Sequence, residues 1–177
     1  LSLGKAAVDA GFEVVLVTNV QAHREVIESL GIRIVPLQQQ RGGLNPFREV
    51  KVLFSLWQIY HQEQPDLVHH IAIKPVVYGS LVARWLGLPC QVNALTGLGW
   101  IYSSKRWFPR ILGLGLTQLL RILLQRGKVI VQNPDDQRWL SQLGVPTVNI
   151  RLILGSGVDL QEFQPARQSG PFIPVVM

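Results

Sequence analysis

The stretch that decides the fold is residues 66–95, which read DLVHHIAIKPVVYGSLVARWLGLPCQVNAL. An apolar run rich in β-branched residues, Asp66–Ile73, opens this stretch, and a second such run, Cys90–Leu95, ends it. Pro75 is predicted to start a helix between the two runs, and Gly87 to end that helix. Two short strands joined by a helix of this length are typical of a parallel sheet that helices cover.

The same alternation of strand and helix extends over the rest of the chain. Further strands are predicted at Phe12–Thr18, Ile32–Leu37, Lys128–Asn133 and Val148–Leu154. The predicted fold class is therefore α/β, a Rossmann-like parallel sheet with helices on both faces. Because a doubly wound sheet begins with a strand whereas this chain begins with a helix, we expect the first strand to be missing. The predicted helices are 1–10, 23–30, 46–64, 75–86, 109–126 and 134–143.

Composition excludes several classes of protein. Of the 177 residues, 47% are apolar and 16% are charged, which excludes a disordered chain, a coiled coil and a collagen-like repeat. The single cysteine, Cys90, excludes a disulfide framework and a Cys-based zinc site. The formal net charge of +6 favours an anionic partner, which can be nucleic acid, a phosphorylated small molecule or an acidic membrane surface.

A glycine-containing motif follows the strand at Cys90–Leu95, at the end of the sheet where ligands bind in such folds. Thr96-Gly-Leu-Gly, with Gly97 and Gly99, is half of a dinucleotide fingerprint, but Tyr102 stands at the third glycine position. The two glycines still let backbone N–H groups approach a phosphate or a sugar, and the alternative is an ordinary tight turn. The incomplete fingerprint disfavours a nucleotide-dependent oxidoreductase or epimerase half.

Two cations and two histidines follow or lie on the predicted strands. Lys74 lies between a strand end and the proline that starts the next helix, which favours anion binding over a merely solvated charge. Arg41 follows an earlier strand in an equivalent loop and is a second candidate for a phosphate. His69 and His70 are neighbours on one strand and point to opposite faces, so they cannot share a metal ion. We expect one of them to pack under a helix and the other to face the cleft.

The segment Trp100–Arg110 interleaves four aromatic residues with three cations. This mixture is typical of a surface loop at an anionic bilayer, and a platform for single-stranded nucleic acid is the less favoured alternative. The apolar helix that follows is predicted to be a core helix rather than a membrane span. Polar groups also follow the last two strands, at Gln132–Asp136 and Gly155–Asp159, where helix capping by Asn133 and an ordinary turn are the alternatives to a ligand contact.

The chain contains, in order, the motifs Asn45-Pro-Phe, Pro65-Asp-Leu-Val-His, Ile73-Lys-Pro-Val-Val-Tyr-Gly-Ser-Leu, Thr96-Gly-Leu-Gly, Val131-Gln-Asn-Pro-Asp-Asp and Gly155-Ser-Gly-Val-Asp-Leu-Gln-Glu-Phe-Gln-Pro. This ordered set resembles retaining glycosyltransferases of family 4 with the GT-B fold. The resemblance covers essentially the whole chain. It is closest to the bacterial subgroup that adds N-acetylhexosamine-type sugars to undecaprenyl-diphosphate-linked sugars.

The resemblance implies two Rossmann-like domains that face each other across a cleft. Residues 1–165 are similar to the acceptor-binding domain, incomplete at its N-terminus, and this domain is the N-terminal half of a GT-B fold. Residues 166–177 are similar to the linker and the first strand of a missing C-terminal domain, which binds the nucleotide sugar. Because that domain holds most of the donor contacts, we expect the 177-residue segment alone to be inactive.

The resemblance also implies which residues form the site. Lys74 and Arg41 are expected to hold the diphosphate of the acceptor, since they lie in the acceptor half; stabilising the leaving diphosphate is the alternative. His70 is expected to contact the reacting hydroxyl group. No cofactor and no metal ion are expected, since the nucleotide sugar is a substrate. The other acceptor- or anion-binding residues that the resemblance implies are His69, Tyr78, Gly79, Thr96, Gly97 and Gly99, and those at the cleft are Asn133, Gly157, Val158 and Asp159.

The implied activity is transfer of a hexosyl or N-acetylhexosaminyl group from a nucleotide sugar to a polyprenyl-diphosphate-linked sugar, in the synthesis of a cell-surface polysaccharide or glycan. The implied location is cytoplasmic and peripheral, on the inner face of the cytoplasmic membrane, with an anionic membrane surface as partner and no nucleic acid. The alternatives are a non-catalytic or remnant Rossmann-like binding domain and, less favoured, the oxidoreductase or epimerase half.

Overall fold

The computed structural model of the protein describes residues 2–19, 22–37, 46–96 and 107–155. Strands and helices alternate along the chain, which confirms the predicted α/β fold class. The strands are β1 (Val14–Thr18), β2 (Ile32–Pro36), β3 (Leu67–Ile71), β4 (Cys90–Leu95), β5 (Lys128–Val131) and β6 (Ile150–Leu152). The helices are α1 (Ser2–Asp9), α2 (Arg24–Ser29), α3 (Pro46–Glu63), α4 (Ile73–Leu86), α5 (Trp107–Leu123) and α6 (Pro134–Gln142), and a 3-10 turn (Thr147–Asn149) precedes β6.

Every strand pair in the described part of the chain is parallel. Strands β3, β4, β5 and β6 form a four-stranded sheet in that order, and β1 pairs with β2 in a separate two-stranded sheet. In the larger sheet His70 lies opposite Asn93. The carboxyl ends of these parallel strands meet at one edge, which we call the carboxyl edge, and β3 and β4 reach it at Ile71 and Leu95. Cys90, the first residue of β4, is exposed at the opposite edge.

Three hydrophobic clusters hold these elements together. Burial of each large apolar side chain stabilises the fold by about 1.5–3 kcal/mol, so the largest cluster, formed by β4, β5 and β6 with α4, α5 and α6, contributes most. Its fully buried members include Leu95, Leu120, Leu124, Val129 and Leu140. A second cluster joins α3, α4 and β3 through Leu56, Tyr60, Val68 and Val82, and a third joins α2 to β2 through Ile27, Ile32 and Ile34.

Two helices begin earlier than their prolines predict. Helix α4 begins at Ile73 and α5 at Trp107, each two residues before its proline. The N–H groups of a first helical turn have no partner within the helix, so proline is tolerated throughout that turn. Lys74 therefore lies inside the first turn of α4. Residues Trp107–Arg110, predicted as part of a surface loop, are helical, which corrects that prediction; residues 100–106 of the loop lie outside the described residues.

Two predicted helix boundaries are confirmed by their capping geometry. Gly87 ends α4 in the left-handed conformation, with a φ of 68°, and its N–H donates to the carbonyl oxygens at the end of the helix. Asn133 begins α6, where its side-chain oxygen accepts a hydrogen bond of 2.8 Å from the backbone N–H of Asp136. The capping role that the sequence left open for Asn133 is thus confirmed.

The residue that joins β3 to α4 has a strained backbone. Ala72 adopts a φ of 77° and a ψ of 159°, a combination that belongs almost only to glycine. Two hydrogen bonds of 3.0 Å hold it there, one from its own N–H to the carbonyl oxygen of Ala94 and one from the N–H of Val76 to its own carbonyl oxygen. Such strain costs about 1–3 kcal/mol and concentrates at functional sites. Here it lies two residues before Lys74, at the carboxyl edge.

Candidate functional site

A cluster of three polar side chains lies where α3 and α4 begin, at the carboxyl edge. The Lys74 Nζ atom is 2.8 Å from Glu49 Oε1, and the Tyr78 hydroxyl donates to Glu49 Oε2 at 2.7 Å. Lys74 and Tyr78 are four residues apart on α4 and therefore share one face of the helix. The Lys74 ammonium lies 5.9 Å from the centroid of the Tyr78 ring. We call these three residues the acid–lysine–tyrosine cluster.

The cluster is only partly open to solvent. The side chains of Lys74 and Glu49 are 27% and 19% exposed. The hydrogen bond from Lys74, followed by that from Tyr78, holds the pKa of Glu49 below its usual value. Burial, followed by the bond to Glu49, raises the pKa of Tyr78 to about 12. At neutral pH the cluster therefore holds a carboxylate and an uncharged phenol beside the lysine.

This pairing changes what the cluster can bind. Because the carboxylate of Glu49 offsets the charge of Lys74, a second anion at Lys74 has to compete with Glu49. A sugar hydroxyl group does not compete in this way, since it accepts a hydrogen bond from an ammonium group and donates one to a carboxylate. The ring of Tyr78 adds an aromatic surface beside the pair. The cluster is thus better suited to a hydroxyl-bearing ligand than to an isolated phosphate.

Sequence reasoning identified Lys74 and Tyr78 but missed Glu49. A signal for it exists in the helical period of α3. Glu49 is three and seven residues before Val52 and Leu56, which are buried, so it lies on the core-facing side of the helix. A carboxylate on such a face is rarely left without a partner. The period therefore indicates that Glu49 has a buried or partly buried partner, although it does not indicate which one.

The two adjacent histidines point to opposite faces of β3, as predicted. His70 is 5% exposed and lies in a buried polar network. Its Nε2 atom is 2.8 Å from the Tyr60 hydroxyl, and its Nδ1 atom is 2.7 Å from Asn93 Oδ1. The Ser80 hydroxyl also donates to Asn93 Oδ1, at 3.1 Å. With the amide oxygen facing it, Nδ1 carries the ring proton, and Nε2 accepts the hydrogen bond from Tyr60.

The network gives His70 a structural role. Burial is the main reason why its pKa is lowered, although the hydrogen bond to Asn93 acts in the opposite direction. Both ring nitrogens are bonded to protein groups. The contact of His70 with a reacting hydroxyl group stays a prediction. His69 is half-buried on the other face, where burial lowers its pKa, and within the described residues its Nε2 atom is buried without a hydrogen-bond partner.

The remaining predicted site residues are distributed as follows. Gly79 packs directly against the ring of His70, away from the acid–lysine–tyrosine cluster. Thr96 is exposed just after β4, at the carboxyl edge, and Asn133 caps α6 after β5. Their contacts with substrate or with a second domain stay predictions. The predicted residues that lie outside the described residues are Arg41, Gly97, Gly99, Gly157, Val158 and Asp159.

Two kinds of feature are absent from the described part of the chain. Across residues 2–19, 22–37, 46–96 and 107–155, no three His, Cys, Asp or Glu side chains come together in a way that could hold a metal ion. Over the same ranges, none of the helices combines the length and the apolar character that crossing a bilayer requires.

Comparison with known proteins gives curated relatives from two bacteria. The chain is 24% identical over 162 residues to the N,N'-diacetylbacillosaminyl-diphospho-undecaprenol alpha-1,3-N-acetylgalactosaminyltransferase of Campylobacter jejuni, covering 91% of this chain and 43% of the relative. It is 28% identical over 128 residues to the UDP-Gal:alpha-D-GlcNAc-diphosphoundecaprenol alpha-1,3-galactosyltransferase of Escherichia coli, covering 72% of this chain and 32% of the relative. The chain thus spans less than half of the length of either relative.

A solved structure and a family match complete the comparison. The crystal structure of Anabaena HepE in complex with UDP and glucose superposes with a TM-score of 0.63 at 15% identity, over 93% of this chain and 42% of that one. This likeness confirms the predicted fold class, a Rossmann-like half of a GT-B fold. Residues 3–133 match the Glycosyl transferase 4-like family. Since this match covers well over half of the sequence, the chain belongs to the Glycosyl transferase 4-like family.

Proposed function

We propose that this chain is the acceptor-binding part of a glycosyltransferase. The intact enzyme transfers a hexosyl or N-acetylhexosaminyl group from a nucleotide sugar to a sugar carried on polyprenyl diphosphate. The observation that carries the proposal is that relatives from two bacteria, named for different transferred sugars, are both named for acceptors linked to diphosphoundecaprenol. The UDP and glucose bound by the structurally similar HepE support a nucleotide sugar as the donor.

Within this function, the acid–lysine–tyrosine cluster binds the sugar of the acceptor. Its position at the carboxyl edge, its partial exposure and its paired charges support this role. Glu49 accepts a hydrogen bond from one sugar hydroxyl group while Lys74 donates one to a hydroxyl or ring oxygen. The expectation that Lys74 holds the acceptor diphosphate is revised accordingly. Arg41 remains the predicted partner of that diphosphate.

The chemical contribution of this part of the enzyme is positioning. In a retaining transfer the leaving diphosphate develops negative charge while the acceptor hydroxyl attacks the same face of the donor sugar. Fixed cations and N–H dipoles lower that barrier by stabilising the charge, and most of these groups are expected in the donor-binding half. Holding the acceptor sugar at a fixed distance and angle makes the attack effectively unimolecular. Glu49, Lys74 and Tyr78 supply such a hold.

The location follows from the acceptor. A sugar on polyprenyl diphosphate remains at the surface of a bilayer, so the enzyme works as a peripheral membrane protein. The proposed side is the cytoplasmic one, at the inner face of the cytoplasmic membrane. The basic net charge of the chain, +6, supports contact with anionic lipid.

The proposal is tested by acceptor binding to the intact enzyme, with a synthetic polyprenyl-diphosphate sugar as acceptor. Lys74→Ala is expected to weaken binding roughly 10- to 150-fold, the equivalent of about 1.5–3 kcal/mol for a hydrogen bond to a charged group. Glu49→Gln is also expected to weaken binding, because the amide is a poorer acceptor for a sugar hydroxyl group. Lys5→Ala is the matched control, since Lys5 is also ion-paired, to Asp9 on α1, but is remote from the carboxyl edge.

The pair of variants separates the possible outcomes. Tighter binding of Glu49→Gln would mean that Lys74 binds the diphosphate and that Glu49 competes with it. Unchanged affinity in both variants, with normal folding, would refute the assignment of the cluster to the acceptor. Failure of the intact enzyme to use any nucleotide sugar with such acceptors would refute the proposed activity itself and favour a binding domain.

A further inference from the structure

The side of α3 that faces away from the core carries large apolar side chains among its polar ones. Leu56 marks the core-facing side of this helix and is buried. Phe47 and Phe54, seven residues and about two turns apart, lie on the opposite side and are 83% and 57% exposed. Val50, on the same side, is also exposed. A surface helix normally carries charged and polar residues on this side, so the pattern requires an explanation.

The aromatic surface continues along α3 and onto α4. The Phe54 and Trp57 rings stack with centroids 5.8 Å apart, and the Trp57 ring stacks on His61 at 5.3 Å. The Trp57 ring also meets that of Trp85 on α4 at 6.3 Å, and Trp85 is 78% exposed. We call this surface the aromatic stripe, and its members are Phe47, Val50, Phe54, Trp57 and His61 of α3 with Trp85 of α4.

Cations border the aromatic stripe, whereas the acidic side chains of the same helices are turned away from it. Lys51 and Arg84 are exposed beside Phe54 and Trp85, and Arg48 is exposed next to Phe47. Helix α4 contains no acidic residue. The two acidic residues of α3 are both ion-paired elsewhere, Glu49 to Lys74 and Glu63 to Arg33. The exposed surface of the two helices therefore combines apolar and positively charged side chains with the neutral glutamines Gln58 and Gln62.

We infer that the aromatic stripe is a docking surface for an anionic lipid bilayer. Rings of Trp and Phe favour the headgroup region of a bilayer, and nearby Lys and Arg side chains meet lipid phosphate. Helix α3, with 18 residues, is about 27 Å long and can lie in the plane of the interface with its aromatic side down. The inference adds a defined surface to the membrane contact of the proposed function and relies on that function for the choice of partner.

Binding to lipid vesicles by sedimentation tests the inference, with the intact protein and without sugar donor or acceptor. The vesicles consist of phosphatidylcholine alone or mixed with phosphatidylglycerol. The double variant Phe47→Ser/Phe54→Ser is expected to bind the mixed vesicles at least about 10-fold more weakly, because two rings no longer enter the interface. The matched control is Phe12→Ser/Val26→Ser, which removes two exposed apolar side chains elsewhere and is expected to bind like the wild type.

A second pair of variants tests the charge. Lys51→Gln/Arg84→Gln is expected to weaken binding to mixed vesicles about 5-fold for each cation removed, and to leave binding to phosphatidylcholine alone unchanged. Arg121→Gln/Arg151→Gln removes the same charge from exposed positions away from the stripe, beside Gly144 and on β6, and is the control.

Two results would overturn the inference. One is equal vesicle binding by the stripe variant and its control. The other is a dimer that the stripe variant loses in lipid-free solution while it keeps its vesicle binding, which would make the stripe an interface between copies of the chain. Because no transfer reaction is measured, either result leaves the acceptor-binding test of the proposed function unaffected.

Discussion

Replacing Gly79 with alanine tests the buried histidine network directly. Gly79 lies inside α4, where glycine is normally a poor choice. A Cβ atom at this position would come 2.3 Å from both Cδ2 and Nε2 of His70 and 2.9 Å from its Cε1. The ring cannot move away freely, since Tyr60 and Asn93 bind it from both sides. We therefore expect Gly79→Ala to destabilise the fold although alanine favours the helix.

The magnitude follows from three contributions. Inserting a methyl group into a well-packed core costs about 1–3 kcal/mol. Moving the His70 ring aside loses its two buried hydrogen bonds, at about 1 kcal/mol each. Exchanging glycine for alanine in a helix interior contributes about 1 kcal/mol in the favourable direction. The net expectation is a loss of about 2–4 kcal/mol in the free energy of unfolding.

Urea unfolding of the wild type and the variant measures this loss through the shift of the midpoint at constant slope. Gly115→Ala is the matched control, because Gly115 lies in helix α5 and a Cβ atom there would meet no atom of the described residues within 4 Å. The control is expected to be as stable as the wild type or up to about 1 kcal/mol more stable. The double variant His70→Ala/Gly79→Ala is expected to lose less than the two single variants together. A Gly79→Ala protein as stable as the wild type would refute the reasoning.

Two further predictions concern stability. Asn133→Ala is expected to lower the free energy of unfolding by about 0.5–2 kcal/mol, since it removes the cap of α6 on Asp136, and an unchanged urea midpoint would contradict it. The free energy of unfolding is expected to fall as the pH drops below about 6.5, because burial lowers the folded-state pKa of His69 and His70 below that value and the unfolded chain then binds more protons. A second fall is expected below about pH 4.5, because the folded-state pKa of Glu49 is held below that value and the unfolded chain then binds more protons; Glu49→Gln should lessen this fall. Unfolding curves from pH 7 to well below pH 4.5 check both steps, and a stability that stays level over this range would count against them.

The order of strands and helices could be predicted because each element carries its own local signal. Cys90–Leu95 is a strand over its predicted range, since it is short, apolar and bounded by turn residues. Gly87 and Asn133 mark helix ends by the backbone conformation and the side-chain oxygen that such ends need. These signals act over a few residues and do not depend on the rest of the fold.

The candidate site was only partly predictable, because its partners are distant in the sequence. Glu49 and Lys74 are 25 residues apart, and no local pattern indicates that the first turns of α3 and α4 meet. The role of His70 had the same limit, since Tyr60 and Asn93 bind it from another helix and another strand. Alternation along the strand showed that the two histidines face opposite ways, but the neighbours on each face follow only from the tertiary packing.

The exposed position of Cys90 has a practical consequence. It is the only cysteine among these 177 residues, so a maleimide reagent attaches a single probe to this part of the protein. The thiol begins β4, whereas the acid–lysine–tyrosine cluster lies near the end of that strand, about 17 Å further along at the rise of an extended chain. A fluorophore or spin label at Cys90 therefore leaves the cluster unobstructed and provides a fixed point for distance measurements to a labelled ligand or a labelled vesicle.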